Sequence, residues 1–102
     1  MFIPGSAAEE FVARILATPS EVEGMTRFSL YTLSTYKFTR PMFMLPKADL
    51  ALNIWLFRRV PIADKSRYPE AVAAVRSLAE RVLAASGKIY PPYAPYFTQP
   101  DW

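Results

Sequence analysis

The residue types that most enzymes use for acid–base or nucleophilic chemistry are sparse in this chain. Its 102 residues include no histidine and no cysteine, which removes Ser–His and Cys–His pairs and thiolate zinc sites. The three glycines are scattered, so a Gly-rich phosphate-binding loop is absent. The nine carboxylates show no spacing that demands acid–base work, and most fit helix caps and solvated helix faces: Glu9, Glu10, Glu21, Glu23, Glu70 and Glu80. The sequence therefore predicts no catalytic residue.

The sequence does offer candidate binding residues, because one amide interrupts an apolar stretch. Asn53 lies within "LALNIWLF", two residues before Trp55, and burying an unpaired amide costs about 1–3 kcal/mol. One explanation is a hydrogen-bonded amide at a sheet edge or bulge. The other is that Asn53 lines a ligand pocket beside Trp55, which makes both residues candidates for substrate binding.

Two further stretches combine residue types that can bind ligands. Met42 and Met44 in "RPMFMLP" could adapt to a flat ligand, since methionine is flexible and polarisable, although such a run more often packs in a core or an interface. The stretch "RFSLYTLSTYKFTR" alternates basic and aromatic residues, as single-strand-binding proteins do. The chain lacks the Gly-flanked aromatic motif of RNA-recognition sheets, so we expect no nucleic-acid partner.

Composition limits the class of protein. Hydrophobic residues make up 52% of the chain and the formal net charge is +3, which together indicate a folded domain with a mild basic excess. The N-terminus lacks the basic and apolar regions of a signal peptide. The apolar stretch "LALNIWLF" is too short to span a bilayer. We therefore expect a single domain over residues 1–102, a cytoplasmic location and no membrane partner.

Hydrophobic periodicity predicts two helices. The first begins at a capping box formed by Ser6 and Glu9 and ends at Pro19, with one more turn up to Gly24. The second covers "SRYPEAVAAVRSLAERVLAASG", with Pro69 in its first turn and Gly87 as its C′ residue. Both helices carry an apolar stripe at 3.6-residue spacing.

Alternating and continuous apolar runs predict the strands. The stretch "TRFSLYTLS" alternates, residues 35–46 suggest a short edge strand broken at Pro41, and "KIY" over residues 88–90 gives a short last strand. "DLALNIWLFRRV" is apolar on both faces, which indicates a central strand covered on both sides.

These elements together predict an α+β fold: an antiparallel sheet of three to four strands with two helices packed on one face, resembling half of a ferredoxin-like domain. Because both helices cover the same face, the opposite face needs a cover from elsewhere. Residues 88–102 form a tail, consisting of the short strand and the segment "PPYAPYFTQPDW". Prolines stiffen this tail, and we expect its apolar surface to be exposed and to favour association.

Three stretches, in order, resemble one family. "MFIPGSAAEEFVARILATP" resembles the segment of vanillyl-alcohol-oxidase-type flavin-linked oxidases, in particular cytokinin dehydrogenases and their bacterial relatives, in which a strand of the substrate domain runs into a helix. "RPMFMLPKADLALNIWLFRRVP" is similar to the turn and long hydrophobic strand of that domain. "GKIYPPYAPYFTQPDW" is similar to the segment that returns towards the flavin domain.

The resemblance implies a substrate-binding or cap portion of an FAD-dependent oxidoreductase that is inactive alone, because the FAD-binding domain of the family is missing here. FAD would be the cofactor of the parent enzyme, bound by a partner domain or subunit. Tyr90 would lie where the returning strand passes near flavin and substrate, and Met42 and Met44 would face the substrate cavity. The alternative function is a small homo-oligomeric interaction module that associates through the exposed sheet face and the tail.

Overall fold

The sheet is antiparallel, and its strands are β1 (Phe2–Pro4), β2 (Met25–Ser34) and β3 (Leu50–Arg58) in the spatial order β1–β3–β2. These observations come from a computed structural model that describes residues 1–39, 44–90 and 96–101. The strand containing Asn53 is central, as predicted, because β1 pairs with one of its edges and β2 with the other.

Helices cover one face of this sheet. They are α1 (Ala8–Leu16), the single turn α2 (Pro19–Val22) and α3 (Tyr68–Ala84). The main core lies between helices and sheet and contains the buried residues Ile3, Phe11, Ile15, Ile54, Leu78, Ala79, Val82 and Ile89. The predicted α+β class, with an antiparallel sheet and two main helices on one face, is confirmed. None of the helices in the described ranges is long and apolar enough to cross a bilayer.

The two faces of β3 differ sharply in exposure. Ile54 points into the core and is 2% exposed, whereas Trp55 and Phe57 are 44% and 45% exposed. Along residues 54–57 the described part of the chain therefore covers only the Ile54 face, whereas Ala51, on the same face as Trp55, is 0% exposed. Both main helices pack on the Ile54 side, as predicted, and cover of the opposite face by another polypeptide stays a prediction.

The N-terminus differs from the helix-first prediction. Phe2–Pro4 form β1, and a 3-10 turn over Gly5–Ala7 precedes α1. The N-cap of α1 is Ala7, without a side-chain hydrogen bond, so the predicted capping box is wrong. The 3-10 turn moves the helix start beyond Ser6, and β1 is too short for its period to be recognised in the sequence.

The connection between β2 and β3 holds no strand in residues 35–39 and 44–49. A 3-10 turn forms over Thr35–Lys37, and Thr35 donates its main-chain N–H to the Asp49 carbonyl at 3.0 Å. The predicted edge strand is therefore not found in these residues. Pro41 and Met42 lie outside the described ranges.

The predicted last strand is reduced to one bridge. Lys88 pairs with Phe2 in antiparallel fashion, outside any named strand. Its position at the outer edge of β1 completes the β-α-β-β-α-β order of a ferredoxin-like domain. The helix before it ends at Ala84, and Ser86, with φ of 58°, is the residue in the left-handed region. Gly87 was therefore wrongly predicted as the C′ residue.

The described part of the tail folds back on the domain. Ile89 is buried in the core, and Tyr96 and Phe97 pack against it. The Arg76 guanidinium donates a hydrogen bond of 3.3 Å to the Tyr96 carbonyl and lies 5.3 Å from the centroid of the Phe97 ring. The prediction of an exposed apolar tail is wrong for these residues. Residues 91–95 and Trp102 lie outside the described ranges.

Polar contacts tie α2 to its neighbours. Arg58, at the end of β3, donates to the carbonyls of Ser20 and Glu21 at 3.2 and 2.6 Å, which satisfies carbonyls near the end of this short helix. The carboxylate of Glu21 pairs with Arg81 of α3. Glu21 is only 4% exposed, so its predicted place on a solvated helix face is wrong.

Candidate functional site: an aromatic groove at the open sheet face

The sheet face opposite the helices carries large side chains. Cross-strand partners share a face, and the register pairs Tyr31 with Asn53, Ser29 with Trp55 and Arg27 with Phe57. We call this surface the open face and define it by six residues of β2 and β3: Arg27, Ser29, Tyr31, Asn53, Trp55 and Phe57. It is a strip of aromatic rings interrupted by small and polar groups.

Two aromatic rings of the open face stack on each other. Trp55 and Phe57 have ring centroids 6.1 Å apart and planes inclined by 23°. The Arg27 guanidinium lies 5.9 Å from the Phe57 centroid, in the cation–π range. Such a surface offers flat apolar area with a positive charge at one end, which favours a planar or aromatic partner.

A groove with a volume of about 520 Å³ runs from the open face around the end of β1. Its lining combines residues of β1, β3, α3 and the tail: Met1, Phe2, Asn53, Ile54, Trp55, Leu56, Phe57, Val75, Ile89, Tyr90 and Tyr96. The groove exists because β1 is three residues long while β3 has nine. Past Met1 the edge of β3 has no neighbouring strand in the described ranges.

Two side-chain polar groups in this groove are available to a ligand. Neither the Asn53 amide nor the Trp55 indole N–H makes a hydrogen bond to another described residue. An amide supplies both donors and an acceptor, and the indole supplies one donor. Asn53 is in the middle of the sheet and the bulge lies in β2 between Met25 and Arg27, so the edge-or-bulge explanation does not fit.

Two tyrosines belong to the tail side of the groove. Tyr90 is partly exposed and follows the residue that bridges to Phe2 by two positions. Tyr96 lies deeper, with its ring centroid 5.1 Å from that of Phe97. Burial raises the pKa of the Tyr96 phenol above its ordinary value of 10.0. This hydroxyl is therefore a neutral hydrogen-bond donor at physiological pH.

Three of the five residues predicted to bind substrate lie close together. Asn53, Trp55 and Tyr90 come together in the groove, although they are far apart in sequence and belong to two different elements. Met44 does not line the groove and is 48% exposed elsewhere. Met42 lies outside the described ranges. That these residues contact a substrate stays a prediction.

The lining favours binding over acid–base chemistry. No carboxylate, lysine or arginine is among the described residues that line the groove. Its charged group is the Met1 ammonium, which donates to the Ile54 carbonyl at 3.1 Å and whose pKa burial lowers from 8.0. Within the described ranges, no cluster of acidic side chains could hold a metal ion.

Sequence reasoning missed eight of the eleven described lining residues, among them Phe2, Val75 and Tyr96. Phe2 was overlooked because β1 was not predicted, although the apolar run before Pro4 was a usable signal. Val75 was assigned to the buried stripe of its helix, and it lines the groove because β1 ends before reaching it. Tyr96 had no sequence signal that separated it from the other aromatic residues of the tail.

Comparisons with protein-family models, curated proteins and solved structures return no match to this chain. The link to flavin-linked oxidases therefore rests on the sequence resemblance alone.

Proposed function

We propose that this chain is a substrate-binding or cap domain of an FAD-dependent oxidoreductase and is inactive alone. In this proposal the flavin is held by a partner domain or subunit, where it supplies the redox chemistry. The groove lined by Asn53, Trp55 and Tyr90 receives the substrate. A cytoplasmic location is part of the same proposal.

One observation carries the proposal: three residues chosen from sequence converge on a single groove. Asn53 and Trp55 line this groove, and neither the amide nor the indole N–H has a described protein partner, so each can hydrogen-bond a ligand without breaking an existing bond. The stacked rings of Trp55 and Phe57 offer a flat surface for an aromatic substrate. This combination of apolar walls with few polar groups is typical of small-molecule sites.

The open face gives the domain a surface for its partner. Trp55 and Phe57 are nearly half exposed, and Tyr31 continues the aromatic strip across β2. Enclosing the groove against a second polypeptide would remove water from the substrate and from these rings. This arrangement suits a domain that positions a substrate while another region performs hydride transfer.

Tryptophan fluorescence tests the substrate groove. In a Trp102→Phe background, Trp55 is the remaining tryptophan and reports binding directly. We expect benzylamine and 4-hydroxybenzyl alcohol, which carry the C–N and C–O bonds that the resemblance implies, to quench it saturably. Asn53→Leu should weaken binding about tenfold through loss of a hydrogen bond. Tyr31→Phe, on the open face but outside the groove lining, is the matched control and should change nothing.

Absorbance tests the flavin part of the proposal. Protein purified alone should lack a stoichiometric flavin spectrum, because the flavin site belongs to the partner. A stoichiometric yellow flavin retained by this chain would overturn that assignment. Unsaturable quenching by both probes, or identical affinities in Asn53→Leu and its parent, would overturn the substrate groove.

A second candidate function is a homo-oligomeric interaction module, which the exposed aromatic strip favours. In that case the open faces of two copies cover each other. Light scattering separates the two functions, because a dimer has twice the 11.6 kDa mass of the chain. A stable dimer that Phe57→Asp converts to monomers would favour this module. A monomer at all concentrations would exclude it.

A further inference from the structure

The strand β2 has a free edge in the described part of the chain. The spatial order β1–β3–β2 places it at one end of the sheet, and it runs for ten residues, from Met25 to Ser34. Arg27 is its one charged residue, and it contains no proline. Sheet proteins commonly protect such edges with charges, prolines or bulges. The bulge of β2 lies between Met25 and Arg27, so the rest of the strand is regular.

The ladder geometry identifies the main-chain groups on this edge. In an antiparallel pair, alternate residues direct N–H and C=O towards the same neighbour. Ile54 exchanges main-chain hydrogen bonds with the residue that precedes β1, so Trp55 faces β2, where its partner is Ser29. Phe28 and Leu30 therefore direct their main-chain groups outwards. No hydrogen bond reaches those groups from the residues that the structure describes.

The helix layer stops short of this edge. Leu30 is the cross-strand partner of Ile54 and shares its face of the sheet, yet Leu30 is 42% exposed where Ile54 is 2% exposed. An apolar side chain is therefore left partly in water beside the free edge, on the side of the sheet where the helices pack. A strand added to this edge would bring a side chain against Leu30 and bury more of its surface.

The sequence of β2 is complementary to itself in one antiparallel register. When Ser29 of one copy lies opposite Ser29 of another, Phe28 lies opposite Leu30 and Arg27 lies opposite Tyr31. The first pair is apolar and the second brings a guanidinium to an aromatic ring, and both are favourable cross-strand combinations. The two Arg27 residues would be four positions apart, about 14 Å along the ladder, so like charges do not face each other.

We propose that β2 pairs with β2 of a second copy of this chain, antiparallel and about a two-fold axis at Ser29. We call this assembly the edge dimer, and its strands form one sheet in the order β1–β3–β2–β2–β3–β1. Each pairing of Phe28 with Leu30 would exchange two main-chain hydrogen bonds. The second copy is the occupant because a two-fold interface needs a self-complementary patch, and β2 supplies one in side chains, charge and main-chain groups.

The edge dimer differs from the association of two open faces and does not rest on the proposed redox function. The groove is lined by residues outside β2, so the two grooves would lie towards the outer ends of the joined sheet. Tyr31 of each copy would carry the aromatic strip of the open face across the two-fold axis. Pairing by the edge therefore leaves both the groove and the open face accessible.

Cysteine cross-linking of the full chain tests the register, because the chain has no cysteine of its own. The two Ser29 residues would form a non-hydrogen-bonded pair with Cα atoms about 4.5 Å apart, within the range of a disulfide. Ser29→Cys should therefore form a covalent dimer with oxidised glutathione. Thr32→Cys is the matched control, since Thr32 is exposed on the same strand but would lie about 20 Å from its copy. It should cross-link about tenfold more slowly.

Two further substitutions separate edge pairing from contact between open faces. Leu30→Pro removes an outward N–H that no described residue uses, and edge strands tolerate such prolines. In the Ser29→Cys background it should slow cross-linking about tenfold, because each copy loses a hydrogen bond, while circular dichroism shows that the fold is kept. Phe57→Asp disrupts the open face and should leave the cross-link intact.

Three results would overturn the edge dimer. The first is equal cross-linking of Ser29→Cys and Thr32→Cys, or none by Ser29→Cys at millimolar chain concentration. The second is undiminished cross-linking in a folded Leu30→Pro variant. The third is loss of the cross-link in Phe57→Asp, which would assign the contact to the open faces. None of these readouts involves flavin or the aromatic alcohol and amine probes.

Discussion

Phe2 and Lys88 exchange two main-chain hydrogen bonds, each 2.7 Å long, and so tie the two ends of the domain together. The bridge brings Ile89 into the core and directs Tyr90 into the groove. The candidate site therefore depends on contacts between residues that are more than eighty positions apart in sequence.

Gly87 makes this bridge possible through its lack of a side chain. A Cβ atom there would lie 2.5 Å from the Phe2 carbonyl oxygen and 2.6 Å from that of Val82. Gly87→Ala should therefore lower the free energy of unfolding by about 2–3 kcal/mol through overpacking, measured by urea denaturation. Gly5→Ala is the control, since its nearest neighbour is the side chain of Leu50 at 3.1 Å. An equal effect at both sites would contradict the close approach.

Ser86 holds a left-handed conformation, with φ of 58°, that costs a non-glycine residue free energy. Ser86→Gly should raise the free energy of unfolding by about 0.5–1 kcal/mol, because the relief of steric strain exceeds the added entropy of the unfolded chain. Thermal and urea denaturation of the variant and its parent measure the difference. Destabilisation by this substitution would show that the serine side chain makes a compensating contribution.

Single substitutions in the buried ion pair between Glu21 and Arg81 should destabilise the fold. Glu21→Gln leaves the partly buried guanidinium without its counter-charge and should cost about 3 kcal/mol of unfolding free energy. The Nε atom of Arg81 is already buried without a hydrogen-bond partner, so further loss cannot be compensated locally. The double variant Glu21→Gln/Arg81→Met should recover part of the loss. Additive losses in this cycle would show that the two side chains are not coupled.

Stability should decline at high pH through Tyr96. Its pKa in the folded chain lies above the ordinary value of 10.0 because burial disfavours the phenolate. The buried, neutral Tyr96 phenol therefore contributes to the free energy of unfolding. This contribution is fully present below pH 10 and is lost as the pH rises through the folded-state pKa. Tyr96→Phe should therefore show a shallower fall in urea midpoint between about pH 9 and 11 than its parent. Tyr36→Phe, a change in an exposed ring, should retain the parental slope.

The two faces of β3 should respond differently to truncation. Ile54→Ala removes a side chain that is 2% exposed and should cost about 3 kcal/mol. Trp55→Ala removes a larger side chain from the open face and should cost less than about 1.5 kcal/mol, because much of that ring already contacts water. Urea denaturation of both variants measures this. A larger loss for Trp55→Ala would mean that the open face is covered in the free protein.

Local patterns predicted the elements with strong periodicity. The 3.6-residue stripe of α3 and the continuous apolar run of β3 were recognised because each is long enough for its period to be distinct. β1 was missed because three residues define no period. The capping box of Ser6 and Glu9 matched a motif, but a 3-10 turn shifted the helix start by a few residues, and sequence does not fix such boundaries.

Part of the candidate site could be predicted from the sequence. Asn53 could be recognised because burying an unpaired amide in an apolar strand costs free energy. The structure places it in one groove with Trp55 and Tyr90. Met44 was chosen from its residue type and from the family resemblance, and it lies outside the groove. Glu21 looked like a surface residue because only the packing of α2 against α3 gives it a buried partner.

The amino-acid sequence by itself determined the residue types available for chemistry, the α+β class and the apolar faces of the long elements, because these follow from composition and short-range periodicity. Only the tertiary structure decided that β1 is shorter than β3 and that Tyr90 and Tyr96 line the same groove as Trp55. These features arise from strand register and from contacts between distant residues. No local pattern encodes them, since their free energy depends on all the packed elements together.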